Sequence, residues 1–147
     1  LRDLYLRAFE ICVRQARPAA VMTSYNLING VHTSESTQLL EVILRREWGF
    51  DGLVMTDWVV DGMTHSDMKH PRATAAATIK AGNELFMPGG ETDREDLLAA
   101  LERGSAGHGA SGRTEPEDED AALTRGEFEK QAARVIRSAW RLAGSEQ

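Results

Sequence analysis

A chain of 147 residues with 41% hydrophobic side chains is long enough for one ordinary domain with one core. Its formal charge of −6, from 17 basic and 23 acidic residues, argues against a nucleic-acid or anionic-membrane surface, which needs clustered Lys and Arg. The single cysteine, Cys12, excludes an internal disulfide; no Cys or His spacing of the structural zinc type occurs, and no apolar run approaches the ~20 residues that cross a bilayer. Nothing demands an oxidising compartment, which favours the cytoplasm. Leu1 already lies in a helical pattern without an initiator Met, so the natural polypeptide is expected to extend upstream.

Leu1, Leu4, Tyr5, Ala8, Ile11 and Cys12 recur at spacings of three and four, one face of a helix that Pro18 closes. On that stripe Cys12 is expected to be buried. Ala19 to Met22 is a short apolar run with a polar tip, Thr23-Ser24-Tyr25-Asn26, and Asn29-Gly30 supplies a turn. A second helix carries Leu39, Leu40, Ile43, Leu44 and Trp48 and stops at Gly49, the usual left-handed cap. After a turn at Asp51-Gly52, the run Leu53-Val54-Met55 ends in Thr56-Asp57-Trp58. Pro71 suits the first position of a third helix that stops at Gly82. A third run, Leu85-Phe86-Met87, ends at Pro88-Gly89-Gly90. Thr92 and Glu95 read as a capping box for a fourth helix with Leu97, Leu98 and Leu101 inward, ended by Gly104.

Three strand-then-helix units at a period of about 30 residues are the mark of parallel strands joined by helical crossovers. The strands are continuous apolar runs, as expected when both faces are covered, so an α/β sheet or barrel follows. Three strands alone would leave open edges, and the remaining strands are expected upstream. Gly, Ser and Ala and then Glu115-Pro116-Glu117-Asp118-Glu119-Asp120 read as a flexible acidic insertion over 105–123, between a unit spanning 1–104 and a closing helix in 124–147. That helix opens with the capping box Thr124 and Glu127 and is expected to bury Phe128, Ala132, Val135, Ile136, Ala139 and Leu142.

Catalytic groups of such folds sit at the carboxyl ends of strands. Of the three tips, only Thr56 to Trp58 offers an ionisable nucleophile or base, Asp57. With Trp58 beside it and Tyr25 on the neighbouring tip, the carboxylate suits a sugar: the rings pack on apolar pyranose faces, and the carboxylate could attack an anomeric carbon. An Asp held by backbone amides for loop geometry is an equal reading of the same residue.

The segments Val21-Met22-Thr23-Ser24-Tyr25-Asn26, Asn29-Gly30-Val31-His32, Ser34-Glu35, Leu44 to Trp58 (LRREWGFDGLVMTDW) and Ala81 to Gly89 (AGNELFMPG) together resemble glycoside hydrolase family 3, its β-glucosidase-like branch. The resemblance implies a partial TIM (β/α)8 barrel with three parallel βα units, about strands six to eight, plus flanking helices. It implies that Asp57 is the nucleophile forming a glycosyl-enzyme intermediate, that Trp58 lines the substrate entrance, that Tyr25 lies beside nucleophile and sugar, and that Met22 packs under the site. The implied substrate is a small carbohydrate, a β-glucoside or oligosaccharide, with no cofactor. The family's Lys-His segment, the Asp and Arg of earlier strands, and the general acid/base Glu of a separate sandwich domain have no counterpart here. A retaining mechanism needs two carboxyl groups about 5 Å apart. Glu35, Asp61 and Glu84 are available, but none occupies the acid/base position, so the chain alone is expected to be inactive without the missing barrel and sandwich domains.

Asp61, His65, Asp67 and His70 could ligate a metal, but their spacing matches no ligand pattern; a polar loop is expected there, no metal is called, and His70 could contact substrate. Gly89-Gly90 reads as a tight turn rather than a phosphate cradle, since no Lys follows. His32 and His108 carry no signal, and Glu35 suits either loop orientation or capping of the next helix. The rival function is a non-catalytic carbohydrate-binding or assembly module using Trp58 and Tyr25 for stacking alone.

Overall fold

The computed structural model describes residues 1–60, 72–106 and 122–144. Its strands are β1 (Ala20–Met22), β2 (Leu27–Ile28), β3 (Val31–His32), β4 (Leu53–Trp58) and β5 (Leu85–Met87). A π-type turn, Arg2–Leu6, leads into α1 (Arg7–Ala16); a π-helix (Gln38–Glu47), α2 (Ala75–Ala81), α3 (Glu91–Ala106) and α4 (Arg125–Gly144) follow. The molecule is α/β: β1, β4 and β5 form a parallel sheet in the order β1-β4-β5, as the three apolar runs predict.

Register explains the two faces of that sheet. Val21 lies opposite Val54, and Met22, Met55 and Leu85 lie level on the three strands. Alternation sends Val21 and Val54 to the helix-covered side, where Val54 joins Val13, Leu40, Leu44, Phe50 and Ala81 in one core. Burying a side chain such as Val54 stabilises the fold by about 1.5–3 kcal/mol. A second core, Ala76, Ile79, Ala100 and Leu123, takes Phe86 from β5. The opposite side, carrying Met22, Met55 and Leu85, is the more open one: Met22 is 47% exposed and the other two are half-buried. Gly52 permits the pairing of β1 with β4, because a Cβ there would stand 2.3 Å from the Ala19 carbonyl oxygen.

Helix ends follow side-chain chemistry, in places other than the sequence predicts. Gly49 and Gly82 cap their helices in the left-handed region as expected. Pro71 lies outside the described residues; α2 starts at Ala75, with the Thr74 hydroxyl accepting from the Ala77 N–H at 3.2 Å and Asp96 from the Ala76 N–H at 3.1 Å. Glu35 accepts from the Thr74 N–H at 2.7 Å, so it holds the approach to α2. Thr92 lies inside α3, where Asp93 instead reaches back to the Gly90 N–H at 2.9 Å. Leu98 is exposed while Leu97 and Leu101 pack inward. Gly104 does not end α3; it lets the Leu123 carbonyl approach, within 2.2 Å of where a Cβ would be. The predicted insertion lies largely in residues 107–121, outside the described residues, but Leu123 at its end is fully buried. The Thr124–Glu127 capping box forms as predicted, with reciprocal bonds of 2.8 and 3.2 Å.

Two apolar stripes face the wrong way for the sequence expectation. In α1 only Val13 is buried, whereas Ile11 and Cys12 are exposed, as is Leu4 in the turn before it. The helix is held from its other side, where Arg14 donates to the Glu47 carbonyl at 2.8 Å and Arg2 pairs with the Glu47 carboxylate. In α4, Phe128, Ile136, Ala139 and Leu142 are exposed, and the buried seam is Gln131 and Ser138, with Arg134 half-buried between them. The cause is where α4 runs. Gln131 donates to the Ile79 carbonyl at 3.1 Å, Arg134 reaches Glu84 just before β5, and Arg141 pairs with Asp51 just before β4. The helix therefore lies across the amino-terminal ends of the strands, where backbone and carboxylate groups demand polar partners.

Candidate active site

At the opposite end, β4 stops in Asp57 and Trp58. The register shifts between Met55 and Trp58, so β4 has one residue more than β5 over the same stretch. The buried Thr56 hydroxyl accepts the Met87 N–H at 2.9 Å within that irregularity. Asp57 is half-buried, and its Oδ1 accepts from the Trp58 N–H at 2.8 Å. The Tyr25 hydroxyl donates to the Trp58 carbonyl at 2.7 Å. Loss of solvent, and after it the neighbouring Asp57 carboxylate, push the Tyr25 phenol above its ordinary range. Val59 follows with φ of 51°, and its N–H donates to the Met87 carbonyl at 2.7 Å. A β-branched residue in the left-handed region costs on the order of 1–3 kcal/mol, and such outliers concentrate at functional sites.

Tyr25 stands on a tightly held tip. The Thr23 N–H donates to the Met55 carbonyl at 2.9 Å, the Ser24 N–H to the Thr33 hydroxyl at 3.1 Å, and the Thr33 N–H to the Asn26 carbonyl at 3.1 Å. The Asn29-Gly30 turn, with φ of 53° and 87°, folds β2 onto β3 as a two-residue hairpin that returns the chain to Thr33. Asp57, Trp58 and Tyr25 thus come together at the carboxyl ends of neighbouring strands, with Trp58 53% exposed. Met22 lies at the end of β1 on the more open side of the sheet, exposed rather than packed beneath its neighbours, as the last residue of a short strand. Asp61, His65, Asp67 and His70 lie outside the described residues.

The third carboxylate the sequence offers, Glu84, serves elsewhere. Its side chain is fully buried and accepts from the Val54 N–H at 2.6 Å, Arg45 at 2.6 Å and Arg134 at 3.1 Å. Burial pushes its carboxyl up, against the pull of the Val54 amide and the two guanidinium groups. Glu41 receives Arg134 at 2.7 Å and Lys130 at 3.2 Å. Burial opposes its ionisation, yet Arg134 and Lys130 outweigh that and hold it below the ordinary carboxylate range. A lowered folded value means stability present above the unfolded value of about 4.3 and lost as pH falls through the folded one. Urea midpoints taken from pH 7 down to 3 should therefore fall less steeply for Glu41→Gln than for the unsubstituted chain. A cleft of about 680 Å³ lined by Arg14, Arg17, Trp48 and Arg141 also opens at this amino-terminal end, away from Asp57.

Residues 1–110 match the glycosyl hydrolase family 3 N terminal domain. The chain belongs to glycosyl hydrolase family 3. It is 48% identical over 105 residues to a β-glucosidase of Rhizobium radiobacter, covering 71% of this chain and 12% of that protein. An exo-α-(1→6)-L-arabinopyranosidase of Bifidobacterium longum is 44% identical over 102 residues, covering 69% and 12%. Among solved structures, the β-glucosidase of Kluyveromyces marxianus in complex with glucose aligns with a TM-score of 0.68 at 30% identity, over 94% of this chain and 14% of that one. β-Glucosidase 3B of Thermotoga neapolitana aligns with a TM-score of 0.60 at 30% identity, over 94% and 20%. The chain thus spans about an eighth of the length of the curated relatives it matches.

Within this family 3 chain, sequence reading misses the residues that shape the site without touching its chemistry. Thr56 is legible only as a polar strand-tip residue, Thr33 carries no signal, and nothing in a Val signals a left-handed backbone. The Asn29-Gly30 pair does carry the hairpin signal, but the flanking strands are too short to show alternation.

Proposed function

We propose that the intact polypeptide is a retaining β-glycosidase in which Asp57 is the nucleophile. The observation that carries this is a carboxylate at the carboxyl end of the middle strand of a parallel sheet, flanked by Tyr25 and Trp58. Parallel α/β sheets present their chemistry at that end. β-Glucosidase relatives and glucose-bound neighbours in family 3 support a β-glucoside as substrate. In this reading β1, β4 and β5 are about strands six to eight of a TIM barrel, residues 1–104 and 124–147 belong to it with 105–123 inserted, and the open side of the sheet is the barrel interior.

The Asp57 carboxylate attacks the anomeric carbon as the aglycone leaves, and water later releases the sugar. Trp58 supplies flat apolar surface with a polar edge, Tyr25 the face of its ring, and Met22 lies on the same open side of the sheet. Neither Glu35 nor Glu84 serves as the second carboxyl group of a retaining pair: Glu35 holds Thr74 and Glu84 is locked between two arginines. In this reading the acid/base group belongs to a part of the polypeptide beyond these residues, and the chain alone is expected not to turn over. No cofactor is required. The test is to inactivate the intact polypeptide with a 2-deoxy-2-fluoro-β-glucoside and locate the adduct by peptide mass. The label should sit on the peptide holding Thr56-Asp57-Trp58; a label on another carboxylate, or none, rejects the assignment.

A further inference from the structure

We infer that Tyr25 is a positioning residue: its hydroxyl, bound to the Trp58 carbonyl, locks a left-handed turn at Val59 that fixes where the Asp57 carboxylate points. The inference rests on the reading of Asp57 as nucleophile. The geometry has two parts. From β1's tip, Tyr25 holds the Trp58 carbonyl at 2.7 Å; from β5, the Met87 carbonyl holds the Val59 N–H at 2.7 Å. These two bonds grip the carbonyl and N–H of a single peptide unit from opposite neighbouring strands.

That unit sits between Trp58, whose own N–H binds Asp57 Oδ1 at 2.8 Å, and Val59, at φ of 51°. A β-branched side chain disfavours this conformation and persists in it only where surrounding bonds over-determine it. Removing one grip lets residue 59 relax toward extended backbone. The Trp58 amide then rotates and takes the Asp57 carboxylate with it. A shift of about 1 Å in a reacting group can cost on the order of 100-fold in rate. Tyr25 need not touch the sugar for this, so its loss acts on kcat rather than on KM.

The test pairs Tyr25→Phe with Val59→Asn, since Asn tolerates the left-handed region far better than Val. In the intact polypeptide, Tyr25→Phe should lower kcat about 10- to 100-fold with KM little changed. Tyr25→Phe with Val59→Asn should recover most of that loss. In the chain itself, the backbone H–N–Cα–H coupling at residue 59 should move toward the extended value in Tyr25→Phe and return in the double variant. If Tyr25→Phe leaves both coupling and kcat unchanged, or if Val59→Asn rescues neither, the positioning role is overturned. If the wild type takes no 2-fluoro label at Asp57, the nucleophile reading falls and the positioning role falls with it.

Discussion

Asp57→Ala in the intact polypeptide is expected to lower kcat on an aryl β-glucoside by about 10⁴-fold, equivalent to about 5.5 kcal/mol of barrier. Under the proposed mechanism the attacking oxygen supplies a bond that water cannot form as readily from the same position, while binding and any acid catalysis survive. The side chain is half-buried at the strand tip, where it accepts from the adjacent Trp58 amide and faces the Tyr25 hydroxyl, outside both apolar cores, so its removal should leave the fold intact. Added azide distinguishes loss of a nucleophile from general damage. It should enter the vacated space, restore turnover and yield the α-glycosyl azide, because it attacks from the face the carboxylate used. Wild-type rates in the Ala variant, or a β-azide product, would rule out Asp57 as the attacking group.

The largest stability effect should come from the other end of the sheet. Arg134→Leu removes the guanidinium that binds both Glu41 and Glu84, leaving two buried carboxylates short of a partner. Loss of one member of a buried ion pair typically costs about 3–5 kcal/mol, far above the ~0–1 kcal/mol of an exposed pair. Arg134→Lys should restore only part of it, since a single ammonium cannot reproduce the fork that contacts Glu41 with both Nη atoms. Urea denaturation with the midpoint and slope both recorded checks this. A loss under about 1 kcal/mol would mean that α4 is held by something other than this network.

That network also marks the limit of what could be read from the residues. The strands were legible because continuous apolar runs such as Leu53-Val54-Met55 have few other uses, and Asp57 because the tip of such a run is where ionisable groups matter. The helices were legible as helices but not in orientation. Periodicity finds a stripe without saying what it meets, and in α4 the stripe of Phe128 and Ile136 points outward while Gln131, Arg134 and Ser138 point in. Position decides this: a helix crossing strand ends meets carbonyls and carboxylates, so its buried side must be polar. Cys12 failed for a related reason, since α1 is anchored through Val13, Arg14 and Arg2 on the side away from its apolar stripe. The twist at Val59 had no signature at all, because its conformation is the one its side chain argues against.

Strand β4 joins the two ends described above: Val54 gives its amide to Glu84, and three residues on, Asp57 emerges at the far tip. At the rise of an extended chain that is about 10 Å. The parts that hold the strands in place and the parts that would meet a ligand therefore share a backbone but no side chain. Met22 and Trp58 could be exchanged, one aromatic or aliphatic for another, without loosening the ionic clasp beneath them. In such a layout the ligand-facing side chains can vary without endangering the scaffold.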